Sequence, residues 1–145
     1  MGLDMYLTAR QSTFKGWKNA KLYNKLVQEA PFALDFANLE VQVAYWRKSN
    51  QIHSWFVKNV QGGVDNCEEY HVTRDQLQLL LDNCKLVLIN KEEAPNLLPP
   101  QEGFFFGSYE YDEFYWQDIQ DTIDQIERVL NEYPEDWDFK YQSSW

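Results

Sequence analysis

The two ends of the chain alternate in polarity, and this feature constrains the fold more than any other. In residues 2–8, Leu3, Met5 and Leu7 occupy every second position, and residues 137–145 show the same alternation of apolar or small with polar side chains. A two-residue period predicts half-buried β-strands. Because an isolated strand needs a partner and a covering layer, we expect the two terminal strands to pair within one sheet.

Helical periodicity dominates the sequence between these strands. Apolar side chains recur at three- and four-residue steps in residues 18–30, in residues 39–60 (the central segment), in the stretch that follows a Thr73–Gln76 capping box, and between Asp112 and Pro134. Residues 69–72 are a short strand candidate, whereas residues 9–17 and 31–38 are predicted as a loop and a connector. We therefore predict one α+β domain, residues 1–145, with three or four helices packed on a small, largely antiparallel sheet.

The central segment carries two polar side chains within its apolar face. Asn50 and His53 are three residues apart, which makes them neighbours on a helix. Two interpretations stay open: a buried polar pair that is hydrogen-bonded to the protein, or the floor of a ligand pocket with Arg47 and Lys48 at its rim. In both cases we expect His53 to be buried and neutral near pH 7. The helical wheel directs Trp55 to the opposite, polar side, where we expect exposure.

Residues 103–116 (the aromatic segment) contain eight aromatic side chains between positions 104 and 116. Gly103 and Gly107 flank the first three, and glycine lets a backbone bend sharply or approach a ligand closely. Eight rings exceed what one core layer accommodates, so we expect some at the surface, where aromatic faces stack on flat rings such as nucleobases. The candidate ligand-binding rings are Phe105, Phe106, Tyr109 and Tyr111.

Charge is distributed unevenly along this chain of net charge −10. Residues 101–145 hold twelve acidic and two basic side chains, whereas residues 1–60 hold eight basic and four acidic ones. This balance disfavours nucleic acid as a partner, because phosphate contacts need a basic face. A small anion near the N-terminal half, or a basic protein at the acidic C-terminal third, remains compatible, and surface acid also simply keeps a protein soluble. The candidate partner-binding residues are Trp55, Glu110, Asp112, Glu113 and Asp118.

Motifs for common catalytic chemistry are missing from the sequence. It has no phosphate-binding glycine loop, dinucleotide fingerprint, zinc motif or nucleophile elbow. The soft metal ligands His53, His71, Cys67 and Cys84 lack zinc-like spacing, and the carboxylates at 110–113 fit a helix N-terminus better than a magnesium site. We therefore expect no metal and no cofactor, and we favour a binding protein over an enzyme. We also expect no membrane span, because no stretch approaches the roughly 20 apolar residues that one needs.

Five motifs spread over nearly the whole chain are distinctive. They are the opening MGLDMYL, the run Tyr45–Lys48 continuing to Ile52-His53 and Trp55-Phe56, residues 103–108, residues 110–113 and the closing Ser143-Ser144-Trp145. These motifs resemble a family of small uncharacterised proteins from phages and prophages. The resemblance implies a phage or mobile-element origin and action in the bacterial cytoplasm. It implies no activity and no catalytic residues.

Two functional hypotheses follow from these observations. The first is a phage-type accessory protein that sequesters a small anionic or nucleotide-like ligand of the host, in a pocket between the central segment and residues 103–111. The second is an inhibitor of a host protein, for example in host defence, that presents residues 101–145 as a polyanion-like surface to a basic partner. The sequence leaves the oligomeric state open.

Overall fold

The four strands of the computed structural model, which describes residues 2–17 and 20–145, form one antiparallel sheet in the order β2-β1-β4-β3. The strands are β1 (Asp4–Phe14), β2 (Phe36–Arg47), β3 (Tyr70–Val72) and β4 (Asp138–Ser144). The two terminal strands are direct neighbours, because Asp4 pairs with Ser144 and Arg10 with Asp138. The predicted pairing of the N- and C-terminal strands is therefore confirmed.

Five α-helices accompany the sheet in the described part of the chain. They are α1 (Ala20–Glu29), α2 (Asn50–Asn59), α3 (Arg74–Ile89), α4 (Ala94–Leu97) and α5 (Glu113–Glu132), with a 3-10 turn at Lys91–Glu93. This confirms the α+β class, and the single-turn α4 exceeds the predicted number of helices. The first two positions of the helix predicted over 18–30 lie outside the described residues. No helix among the described residues is long and apolar enough to cross a bilayer.

The core lies between one face of the sheet and helices α2, α3 and α5. Leu7 and Tyr141 contribute from the sheet, and Phe56, Leu81 and Ile123 contribute from the helices. The rings of Phe56 and Tyr141 stack with 3.8 Å between their centroids. Burial of these apolar side chains is the dominant stabilising term of the fold.

Two helix starts follow from their sequence signals. At α3, the Gln76 backbone N–H donates to the Thr73 hydroxyl at 3.1 Å, and the Gln76 side chain accepts from the Thr73 N–H at 2.9 Å. At α5, the Tyr115 N–H donates to Asp112 Oδ1 at 3.0 Å. Both predicted caps are therefore confirmed, and each satisfies backbone donors that a helix end leaves free.

The predicted continuous helix over the central segment is wrong in its first half. Residues up to Arg47 belong to β2, and the helix begins only at Asn50. The loop predicted over residues 9–17 is also wrong in part, because β1 continues to Phe14 and buries Gln11 and Thr13. The antiparallel pair of β1 and β2 is thus longer than its polar sequence indicates.

A β-bulge explains why β2 has the apolar spacing of a helix. Leu7 pairs with Ala44 and Thr8 with Gln42, so Val43 is an extra residue in β2. Before the bulge the odd-numbered positions of β2 face the core side, and after it the even-numbered ones do, including Trp46. Because of this extra residue, the apolar side chains of β2 do not all recur at every second position. Leu39, Val43 and Trp46 follow at steps of four and three residues, which is also the spacing of apolar residues on one face of a helix.

Helix α5 covers part of the outer edge of β2. Arg128 Nη2 donates to the Val43 carbonyl at 2.8 Å, and the Tyr45 N–H donates to Gln125 Oε1 at 2.9 Å. Because β2 is an edge strand, these backbone groups have no strand partner on that side. The side chains of α5 therefore satisfy them and hold α5 beside the end of β2.

Candidate functional site

The aromatic segment meets the start of α2, and the Asn50 amide connects them. Asn50 Nδ2 donates to the Phe106 carbonyl at 3.0 Å and to the Ser108 carbonyl at 2.8 Å, while Oδ1 accepts from the Gln101 N–H at 3.0 Å. These bonds use three of the four hydrogen-bonding sites of the amide, all on backbone groups. The geometry favours the interpretation of Asn50 as a buried structural amide.

His53 is fully buried, as predicted, and links α2 to two other parts of the chain. Its Nδ1 lies 2.7 Å from the Tyr141 hydroxyl, and its Nε2 lies 3.0 Å from Asp65 Oδ2. The neutral ring satisfies both contacts when Nε2–H donates to the carboxylate and Nδ1 accepts from the hydroxyl. Burial lowers the pKa of His53, and the hydrogen bond to Asp65 acts in the opposite direction. The burial effect is the larger, so the ring favours the neutral form near pH 7.

Asp65 is the point at which several segments converge. Besides His53, its carboxylate accepts from Gln101 Nε2 at 3.2 Å and from the Trp145 indole N–H at 3.1 Å. Asp65 was not among the predicted residues, because a single acid in a turn carries no periodic pattern. The Asp65 side chain thereby ties the C-terminal residue and the start of the aromatic segment to α2.

Two cavities border residues 101–108, and both fall in the size range of small-molecule sites. The basic cavity has a volume of about 390 Å³ and is lined by Arg47, Lys48, Gly107, Ser108, Phe114 and Asp118. The aromatic cavity has a volume of about 350 Å³ and is lined by Asp65, Gln101, Glu102, Gly103, Phe104, Phe105, Phe106 and Trp145.

The eight predicted ligand-binding residues do not share one cavity. Arg47 and Lys48 line the basic cavity, Phe105 and Phe106 line the aromatic cavity, and Asn50, His53, Tyr109 and Tyr111 line neither of the two. The Tyr109 hydroxyl bonds to the N–H and the carbonyl of Gly103, and the Tyr111 ring packs on another tyrosine in the same segment. The two segments do meet, which the sequence left open, but the candidate residues are divided between two cavities or line neither of them.

The turn between β2 and α2 has an unusual backbone at the wall of the basic cavity. Lys48 has φ of 56°, in the left-handed region that non-glycine residues rarely adopt. Its N–H donates to the Leu3 carbonyl at 2.7 Å. Gly107 lies against it with φ of 93°, and a Cβ on this glycine would approach the Lys48 Cβ to 3.1 Å. The close packing of this glycine therefore holds the lysine backbone in place.

Asp118 brings a carboxyl group into the basic cavity. The sequence placed Asp118 among the candidate partner-binding acids, and in the structure it lies with Arg47 and Lys48 in the lining of one cavity. Burial raises the pKa of Asp118 to about 6, while the hydrogen bond from Gln51 acts in the opposite direction. The charge of the cavity therefore changes between pH 5 and pH 7.

The predicted partner-binding surface loses its aromatic residue. Trp55 is only 3% exposed, because α2 is buried all along Asn50–Val57 and has no polar outer side. The prediction that Trp55 is exposed is wrong for this reason. Glu110 and Glu113 are exposed, and Asp112 is half-buried at the start of α5.

Within residues 2–17 and 20–145, no group of three or more His, Cys, Asp or Glu side chains is arranged to hold a metal ion. No protein-family model, no curated protein and no solved structure significantly matches this chain. Function is therefore inferred from the geometry of the described residues.

Proposed function

We propose that this protein is an accessory binding protein that holds a small anionic, nucleotide-like ligand in the basic cavity. The main support is that Arg47, Lys48, Ser108 and Phe114 surround one cavity. Guanidinium and ammonium groups pair with phosphate oxygens, and a hydroxyl can donate to the same oxygens. The Phe114 ring is 77% exposed, so its face is free to stack on a base.

The backbone at Lys48 supports the same site. A left-handed conformation costs an L-residue about 1–2 kcal/mol, which glycine would avoid. Strained residues of this kind concentrate at ligand-contacting positions. The presence of lysine at φ 56° is therefore consistent with a requirement for its side chain at the cavity wall.

Asp118 gives the proposed binding a defined pH dependence. The pKa of its carboxyl group is raised to about 6, so the group is mostly ionised at pH 7.5 and mostly neutral at pH 5.5. An ionised carboxylate repels a bound anion, whereas the protonated form can donate a hydrogen bond to it. Anion affinity should therefore rise as the pH falls through this range.

The resemblance to phage and prophage proteins supports sequestration of a host ligand in the bacterial cytoplasm as the biological setting. Sequestration requires affinity and not turnover. The acidic-inhibitor hypothesis has less support, because Trp55 is buried and Asp118 lines a cavity.

Isothermal titration with cyclic AMP tests the proposal, with adenosine as the matched neutral ligand. We expect cyclic AMP to bind at least tenfold more tightly than adenosine, and Arg47→Gln to remove most of this difference. Phe114→Ala should weaken the binding of both ligands. Phe104→Ala, which lies outside the basic cavity, should weaken the binding of neither. Equal binding of the two ligands would overturn the proposal, as would the absence of binding by cyclic AMP, ADP and inorganic phosphate.

The pH dependence provides an independent test, because the phosphodiester of cyclic AMP keeps one negative charge between pH 5.5 and 7.5. In the unmodified protein, the affinity for cyclic AMP should increase severalfold as the pH falls from 7.5 to 5.5. The Asp118→Asn variant should bind with nearly the same affinity at both values. A pH dependence that survives in this variant would contradict the assigned role of Asp118.

A further inference from the structure

The aromatic cavity has a composition opposite to that of the basic cavity. Its lining includes four aromatic rings and two acidic side chains, and none of its lining residues is basic. Phe104 is 97% exposed, and Phe105 and Trp145 are also exposed. Large rings left open to water in one place indicate a surface that contacts something else.

The rings of this cavity meet at steep angles. Phe104 and Phe105 lie edge to face at 5.6 Å, and Phe106 and Trp145 lie edge to face at 6.0 Å. Rings at such angles can contact a ligand from more than one side, so several aromatic faces can interact with it. The face of an aromatic ring is electrically negative and attracts a cation.

The two carboxylates favour a cation of a particular kind. Asp65 already accepts hydrogen bonds from His53, Gln101 and Trp145, so most of its lone-pair sites are occupied. Its negative charge is not cancelled by His53, because burial favours the neutral ring. A ligand beside Asp65 therefore meets negative charge but few free acceptors, and Glu102 adds a second acidic group at the cavity wall.

We infer that the aromatic cavity binds a quaternary ammonium group. A trimethylammonium head has a positive charge, donates no hydrogen bond and presents methyl groups to ring faces. A primary ammonium would need free acceptors for its three N–H donors. The volume of about 350 Å³ accommodates the head and part of the chain that carries it. This site is separate from the basic cavity and does not depend on the function proposed for it.

Titration with choline tests this inference, with dimethylbutanol, in which carbon replaces the nitrogen, as the neutral ligand of the same shape. The readout is the indole N–H resonance of Trp145 in the proton–nitrogen NMR spectrum, assigned with Trp145→Phe. We expect choline to shift this resonance saturably and dimethylbutanol to bind at least tenfold more weakly. Equal affinities, or no shift with choline at tens of millimolar, would overturn the inference.

Paired variants locate the site and separate it from the basic cavity. Phe104→Ala removes a ring that is almost fully exposed, so it should leave the fold intact and weaken choline about fivefold. Glu102→Gln should weaken choline about threefold. Phe114→Ala, which removes an exposed ring from the basic cavity, should leave choline affinity unchanged. Choline binding that responds to Phe114→Ala and not to Phe104→Ala would refute this site, whatever the result with cyclic AMP.

Discussion

Replacing Asn50 by alanine should destabilise the protein strongly, because its amide supports three backbone groups of residues 101–108. Each hydrogen bond contributes about 0.5–1.5 kcal/mol net, and the side chain is buried, so water cannot readily replace it. The expected loss in the free energy of unfolding is therefore about 3 kcal/mol. For a chain of this size, that loss lowers the thermal midpoint by about 10 °C.

Urea denaturation followed by tryptophan fluorescence measures this loss as a shift of the midpoint at constant slope. Asn96→Ala is the matched control, because Asn96 is exposed and makes a single long bond, 3.4 Å, to Glu93. We expect the control to change the free energy of unfolding by no more than about 0.5 kcal/mol.

The comparison also decides between the two interpretations that the sequence leaves open for Asn50. A structural amide predicts a large loss of stability in the absence of any ligand. If Asn50→Ala is as stable as Asn96→Ala and loses cyclic AMP binding instead, the amide contacts the ligand and the structural reasoning is refuted.

Two substitutions and one titration test further single features of the site. Lys48→Gly should raise the free energy of unfolding by about 0.5 kcal/mol in urea, because relief of the left-handed backbone exceeds the entropy cost of glycine, and it should weaken cyclic AMP in the titration. Gly103→Ala should lower the free energy of unfolding by about 1–3 kcal/mol in the same urea experiment, because the added Cβ would lie 2.5 Å from the Phe106 ring. His53 should titrate below pH 6.5 by NMR. Because the unfolded chain then binds more protons than the folded one, the contribution of His53 to stability should fall as pH drops below about 6.5, and a ring that titrates at or above this value would contradict the buried neutral state.

The terminal strands and most helices were predictable because their patterns are local and regular. Alternation at both ends sufficed for the central pair of strands, and the caps at Thr73 and Asp112 fixed two helix starts. The central segment was not predicted correctly, because a bulge is a property of strand pairing and leaves a helix-like spacing in one strand. The alternation of Leu39 and Val41 with polar neighbours was the available signal for a strand at the start of this segment.

The sequence indicated which segments contribute to the site, but not how their side chains are arranged in it. The two basic side chains and the aromatic segment do lie together, although one sequence could not show that they meet. Asp65 and Asp118 enter the cavities through tertiary packing alone, and nothing in their local sequence distinguishes them from surface acids. The exposure of Trp55 was wrongly predicted for the same reason, because burial of α2 on all sides depends on the layers around it.

The bulge in β2 also affects how this protein behaves at high concentration. An open strand edge is a template on which another chain can add a strand, and this is a common first step of aggregation. At Val43 and Tyr45 the outward carbonyl and amide are already occupied by α5, and the bulge breaks the regular spacing that an added strand would need. Along β2, regular pairing with an added strand is therefore confined to residues 36–42. Loss of the Arg128 side chain would free the Val43 carbonyl and lengthen the open edge of β2, so the helix that completes the core also protects part of this edge.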